Sequence, residues 1–184
     1  MPKKDFSLEL KKIISQEEWL MNILRAVRDL RLPDWYLAAG VVRNTVWDVL
    51  HGYSKRTPLN DIDVVFFDPS KLFSEKKIEM RLKKKFPHYS FEAVNQSFVH
   101  EMYPHKPKVH SSCEAIGSFV EIPTCVGVRL EQDDSFTICA PHGLLSLFSL
   151  EVAPTAGVSL QKYEERVKSK QWEKLWPKLH ITYL

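Results

Sequence analysis

The sequence predicts an α+β fold, a small mixed sheet flanked by helices, and three observations carry that prediction. A short apolar run, Tyr36-Leu37-Ala38-Ala39, meets Gly40, after which Val42, Val46 and Val49/Leu50 recur at helical spacing until Gly52. That is a strand turning sharply into a helix. Short β-branched or aromatic runs then recur at Asp61 to Phe67, at Tyr89 to Val94 and on both sides of residues 131–134. Amphipathic stretches of helical period lie between and around them. A chain of 184 residues can bury a sizeable core, and the length fits a single domain over 1–184, with its core at about 15–150 and a helical tail at 155–184.

Residues 1–10 begin basic and polar and are expected to be loosely ordered. Ser15-Gln16-Glu17-Glu18 has the form of a capping box, and Leu20, Ile23, Leu24, Val27 and Leu30 share the next helical face. This first helix stops before Pro33 and serves to cover the sheet. In the helix after Gly40, Val46 and Trp47 read as core, and Asp48 as an ordinary helix acid more than a turn below the glycine. The loop from His51 to Asn60 carries Lys55, Arg56 and Pro58 and is either a cover for phosphates or a solvated connection.

Beyond Asp68-Pro69, Ser70 or Ser74 caps a helix with Ile78, Leu82 and Phe86 inward. Between Lys71 and Lys85 it carries seven basic and two acidic side chains, which reads as a solvated face in preference to a phosphate track. Pro87 ends it, and Glu92 is the one acid of the strand that follows. Ser111 or Ser112 caps a short helix, and Thr124 to Leu130 pairs with Ser135 to Ala140 as a hairpin with a four-residue loop. Val126, Val128 and Leu130 face one way there, answered by Phe136 and Ile138. Pro141 is placed to open a helix through Phe148. After the break at 154–157, a basic segment places Tyr163, Arg166 and Lys170 near one face, and the tail either closes over a ligand or docks by Trp172 and Trp176.

Composition narrows the function classes. With 44% hydrophobic and 27% charged residues the chain is that of an ordinary globular protein, and a net charge of +3 does not by itself announce nucleic-acid binding. No apolar run reaches the length of a membrane span and the start lacks the apolar core of a secretory signal, so a cytoplasmic protein without a membrane partner is expected. Cys113, Cys125 and Cys139 are odd in number and not in C-x-x-C spacing, which argues for buried free thiols over a disulfide framework or a zinc site. The five-residue spacings of His100, His105 and His110 match no common zinc pattern.

The chemistry concentrates in Asp61-Ile62-Asp63. Strand side chains alternate, so both carboxylates project from one face, where they repel each other unless a cation neutralises them. Magnesium takes hard oxygen ligands, one or two carboxylates together with substrate phosphates, and so suits this pair. Gly40 lets backbone approach a ligand, the helix after it presents free amides to an anion, and Arg43 adds a fork of donors.

Ala39-Gly40-Val41-Val42-Arg43-Asn44 followed by Asp61-Ile62-Asp63-Val64 resembles the glycine-turn and D-x-D signature of the DNA polymerase beta-like nucleotidyltransferase superfamily, close to the head domain of tRNA CCA-adding enzymes. Asn95-Gln96 with His100, Thr124 to Leu130, Ala140-Pro141-x-Gly143-Leu144, Tyr163-x-x-Arg166, Trp172 and Trp176-Pro177 extend the likeness to a short, mainly bacterial nucleotidyltransferase-like family over roughly residues 15–180. The resemblance implies the polymerase beta-like fold and metal-dependent transfer of a nucleoside monophosphate from an NTP to an acceptor hydroxyl, with release of pyrophosphate. It implies Asp61, Asp63 and a third acid, assigned to Glu92, as catalytic residues, with Mg2+ or Mn2+ on Asp61 and Asp63. Gly40, Val41, Arg43, Asn44 and Asn95 would bind the nucleotide, and the acceptor stays open among RNA, protein and small molecule.

Other roles have two readings. Asn95 either meets a base or sugar or satisfies loop backbone; His100 is a proton shuttle or structural; Arg129 reaches a phosphate or pairs with a surface acid. The chain also departs from its likeness. Where the superfamily carries Gly-Gly or Gly-Ser it has Ala39-Gly40-Val41, so a serine contact to phosphate is missing. The rival function is a catalytically weak or inactive nucleotide- or RNA-binding module on the same fold.

Overall fold

The computed structural model describes residues 5–103 and 106–183. The chain enters through two helices where one was expected. The Asp5 carboxylate accepts the amides of Ser7 and Leu8 and caps α1, Phe6–Gln16; the chain kinks at Glu17 and resumes as α2, Glu18–Arg28. Ser15 therefore lies inside α1, its hydroxyl donating to the Lys12 carbonyl, and caps nothing. The expected loose start is overturned for residues 5–10, because Asp5 caps the helix and Leu10, Ile13 and Ile14 bury against the core.

Strand β1, Tyr36–Ala38, runs into α3, Gly40–His51, which ends at Gly52 in the left-handed region that favours glycine. Then come β2, Ile62–Phe66; α4, Glu75–Lys85; β3, Phe91–Asn95; and two short helices, α5, Val99–Met102, and α6, Ser112–Ile116. Strands β4, Gly127–Leu130, and β5, Phe136–Cys139, make the hairpin, followed by α7, Leu145–Phe148, and β6, Glu151–Val152. The tail holds α8, Leu160–Lys170; α9, Trp172–Leu175; and β7, His180–Ile181.

Five strands form one mixed sheet in the order β3-β2-β1-β4-β5, parallel only between β2 and β3. Period-two alternation gives it two unlike faces. Leu37, Ile62, Val64, Ala93, Val128 and Leu130 enter the main core with the helices, and Trp172 and Trp176 of the tail belong to that same core. Tyr36, Ala38 and Val65 turn the other way into a small cluster with Ile116, Cys125 and Cys139. Asp63, between Ile62 and Val64, must share this second face.

The α4 acids are spent on the sheet edge: Glu79 accepts the Ala93 amide at 3.0 Å and Glu75 the Asn95 amide at 2.6 Å. Four helical residues rise about 6 Å and two strand residues about 6.6 Å, so the spacings match. The lysines of α4 face solvent.

Four expectations are corrected. The hairpin loop spans five residues, 131–135, and Thr124 belongs to a 3-10 turn, Ile122–Thr124, ahead of β4. Pro141 and Gly143 form a turn, Gly143 at φ +73°, so the helix starts only at Leu145. Cys113 and Cys139 are joined as a disulfide between α6 and β5, and only Cys125 is the buried free thiol expected. Two-residue strands β6 and β7 pair in parallel and tie down the tail, a contact too short to leave a periodic signal. No helix among the described residues is long and apolar enough to cross a membrane.

Candidate active site

The bend between β1 and α3 sits one residue earlier than the glycine suggests. Ala39 adopts φ +56° and ψ −121°, held by its amide on the Val126 carbonyl and by its carbonyl under the Arg43 amide, both at 2.9 Å. A non-glycine residue there is strained. Because the Arg43 amide makes the first helical bond, the amides of Gly40, Val41 and Val42 have no acceptor inside α3. A Cβ on Gly40 would stand 3.9 Å from Arg43 Nη2, so glycine is not needed for space; Gly40 lines the cleft, whereas Val41 and Val42 are wholly buried.

Pairing of β1 with β2 sets Ala38 opposite Asp63 and so carries the bend to the acids. Asp61, Asp63, Gly40, Asn44, Arg43 and Arg166 line one cleft of about 190 Å3, with Pro58 to Asn60 on its rim and Trp172 and Leu175 beside it. Burial pushes the Asp63 carboxyl up to about 7, with the Asp61 and Glu92 charges adding to it and Arg43 and Arg166 opposing. Glu92 is the register mate of Asp63 in the parallel β2–β3 pair, so the two side chains share a face, and together they line an adjoining hollow of about 420 Å3. Among the described residues no group of three or more His, Cys, Asp or Glu is arranged to hold a metal ion on its own. A site of two or three hard oxygens with crowded negative charge still fits Mg2+, which usually keeps water and substrate phosphate among its ligands.

A nucleotidyltransferase family model matches residues 25–181. The chain belongs to this nucleotidyltransferase family. Among solved structures, one described as an NMR structure revealing a CCA-adding enzyme head domain is 34% identical, with a TM-score of 0.82 and 96% of each chain covered. Complexes of a CCA-adding enzyme with CTP and with ATP share the fold at TM-scores of 0.59 and 0.58, at 13% and 15% identity. They align with 97% and 93% of this chain, which spans under half of theirs, 43% and 42%. No curated protein matches the chain.

Several side chains of this nucleotidyltransferase do other work than the sequence suggests. Arg43 is buried; Nη1 donates to Thr124 Oγ1 at 2.7 Å, Nη2 to Asn44 Oδ1 at 2.9 Å, and the guanidinium lies 4.3 Å from the Trp172 ring centre. Burial draws it down to about 10, against the Glu121 carboxylate, so it stays cationic at neutral pH. Part of its fork thus holds the cleft wall. Val41, read as nucleotide-binding, is fully buried in the core and does not line the cleft. Asn95, read as nucleotide-binding, is corrected: Oδ1 accepts the amides of Asp68 and Ser97, Nδ2 donates to the Asp68 carbonyl, and the residue does not line the cleft.

His100 stands outside the cleft, its Nδ1 buried and without a hydrogen-bond partner among the described residues, and His105 lies outside the described residues. Asp48 accepts from Trp176 Nε1 at 2.7 Å and from Thr57, a structural role. Arg56 lies 4.0 Å over the Trp19 ring, and Arg129 pairs with Glu131 and Asp34 on the surface.

Glu121 is a residue of the site that sequence reasoning missed. Its fully buried carboxylate receives Arg166 Nε at 2.6 Å through Oε1, while Oε2 has no hydrogen-bond partner among the described residues. The one available signal was an acid isolated in the apolar run Phe119-Val120-Glu121-Ile122-Pro123.

Proposed function

We propose that this family member transfers a nucleoside monophosphate from an NTP to an acceptor hydroxyl with release of pyrophosphate. The observation that carries the reading is that Asp61 and Asp63 line the same cleft as the Gly40 bend and the cations Arg43 and Arg166. The start of α3 at Gly40 and a cationic wall suit the triphosphate. Arg43 and Asn44 brace that wall, Arg166 contributes charge, and Trp172 with Leu175 limits water at the rim. Asp61 and Asp63, with Glu92 from the next strand, would hold Mg2+ or Mn2+. Such an ion, when bound, neutralises phosphate charge and lowers the pKa of an acceptor hydroxyl. The CTP and ATP complexes of the CCA-adding enzyme support an NTP as ligand on this fold.

Each α-labelled NTP is incubated with Mg2+ or Mn2+ and either total RNA or small hydroxylated acceptors. Transfer by the wild type that disappears in Asp63→Asn is the expected result. Nucleotide binding with no pyrophosphate released under any metal would instead establish a binding module.

A further inference from the structure

A larger cavity, about 760 Å3, adjoins the nucleotide cleft and shares Ala39, Asp63, Thr124 and Arg166 with it. The two spaces meet at one carboxylate. In-line displacement at phosphorus needs the incoming oxygen opposite the leaving pyrophosphate, so a donor in the first space requires an acceptor in a neighbouring one. The volume lies within the range of about 300–1,000 Å3 usual for small-molecule sites.

Its lining specifies a ligand. Phe119, Val120 and Val158 supply apolar surface; Lys106, Lys162 and Arg166 supply charge; Asp63 is the only acid among the described lining residues. Neither lysine has a carboxylate partner among the described residues. Arg166 pairs through Nε with Glu121, and its two Nη groups make no hydrogen bond among the described residues. Two lysines with no carboxylate partner among those residues, together with Arg166, beside an apolar floor fit an anion attached to an apolar body.

We propose that this cavity binds the acceptor, and that the acceptor is a small hydroxylated molecule with an apolar body and a phosphate or carboxylate group. The inference rests on the transferase reading of Asp61 and Asp63. The acceptor oxygen forms a bond to the α-phosphorus as the α–β bridging bond breaks. Pyrophosphate leaves with the electron pair, and the hydroxyl proton passes to water. An RNA 3′ end fits less well, because the hollow that adjoins the cavity at Asp63 and Phe119 is lined by Asp63, Glu75, Glu79 and Glu92, acids that repel a phosphate backbone.

The test follows backbone amide signals of the 15N-labelled full chain. Separate titrations use 4-nitrophenyl phosphate, 4-hydroxyphenylacetate, the uncharged 2-(4-hydroxyphenyl)ethanol and a single-stranded RNA hexamer with a free 3′-OH. The two anions are expected to shift signals of residues 118–120 and 155–159, and the uncharged probe to leave them in place. Comparing the two anions tells phosphate from carboxylate preference.

The double variant Lys106→Ala/Lys162→Ala is expected to weaken anion binding at least about tenfold, as the loss of charged hydrogen bonds requires. ATP with Mg2+, followed on the amides of residues 40–44, should bind it as tightly as wild type. No response to either anion, equal response to the uncharged probe, or RNA binding at these residues would overturn the proposal. Because ATP is read on separate signals, failure of the nucleotide cleft and failure of the acceptor cavity are told apart.

Discussion

Arg166 Nε donates to Glu121 Oε1 across 2.6 Å, tying α8 to a carboxylate buried 45 residues earlier in the chain. The bridge holds Arg166 where it lines both the cleft of Asp61 and Asp63 and the adjoining cavity. Its two ends are unequal, since the Glu121 side chain is fully buried and that of Arg166 is 40% exposed. Arg166→Ala strands a buried carboxylate and is expected to cost about 3–5 kcal/mol, whereas Glu121→Ala frees an arginine that can reach water and costs less. Denaturant midpoints at constant slope measure both, and the reverse order would contradict the assignment.

The strained bend makes a second prediction. Ala39→Gly relieves a conformation that costs of order 1–3 kcal/mol in a residue with a Cβ, set against about 0.5–1 kcal/mol of added chain entropy in the unfolded state. The variant should be more stable by roughly 1 kcal/mol, read as a higher denaturant midpoint. Gly40→Ala should leave stability nearly unchanged, since its Cβ meets nothing closer than 3.9 Å. The same variant should weaken triphosphate binding, measured by calorimetry, by adding a methyl group to the cleft lining at Gly40.

Asp63 is buried close enough to Asp61 and Glu92 for their charges to raise its pKa. Asp63→Asn removes one of the crowded charges and is expected to raise the apo melting temperature while abolishing transfer, at about 2–4 °C per kcal/mol gained. Mg2+ should raise the melting temperature of the wild type by mass action and that of the variant much less. An unchanged or lower apo melting temperature in Asp63→Asn would count against charge crowding at the site.

Burial pushes the Cys125 thiol from 9.0 up to about 12, assisted by Glu121 and opposed by a backbone hydrogen bond at Phe119. The unfolded chain therefore loses this proton at lower pH than the folded one. The thiol's contribution to stability is complete below pH 9 and declines as pH rises toward 12, at up to about 1.4 kcal/mol per pH unit. Cys125→Ala should flatten that part of the alkaline unfolding profile relative to wild type. In the native wild type at pH 8 the thiol should resist a water-soluble disulfide reagent until denaturant is added.

Local pattern was enough for much of this. The alternation of Asp61-Ile62-Asp63-Val64 fixed which face the acids share, and Val126, Val128 and Leu130 point into the main core as their period requires. Trp172 and Trp176 dock as their apolar bulk implies, with ring centres 5.5 Å and 5.1 Å from Trp47. The solvated face of α4 was also legible from its lysines, although the use of Glu75 and Glu79 to cap the edge of β3 was not.

Pattern failed where a side chain had two local meanings. Asn95 carries donors and acceptors for either a ligand or a loop, and only the approach of Asp68 turned it toward the loop. Ser15 fitted a capping box, but α1 already passed through it from a cap at Asp5. Glycine marked the turn region, yet the φ > 0 residue is Ala39, because the amide bond to Val126 and the start of α3 fix that residue from both sides.

The sequence by itself determined the helical and strand periods, the common face of Asp61 and Asp63 and the apolar side of each element, all consequences of neighbours a few residues apart. Tertiary structure alone decided that Glu92 stands beside Asp63, that Glu121 holds Arg166, that Cys113 meets Cys139 and that two cavities share one carboxylate. These depend on strand register and chain crossings over 26 residues or more, and residue spacing along the chain carries no information about which distant segments come within bonding distance.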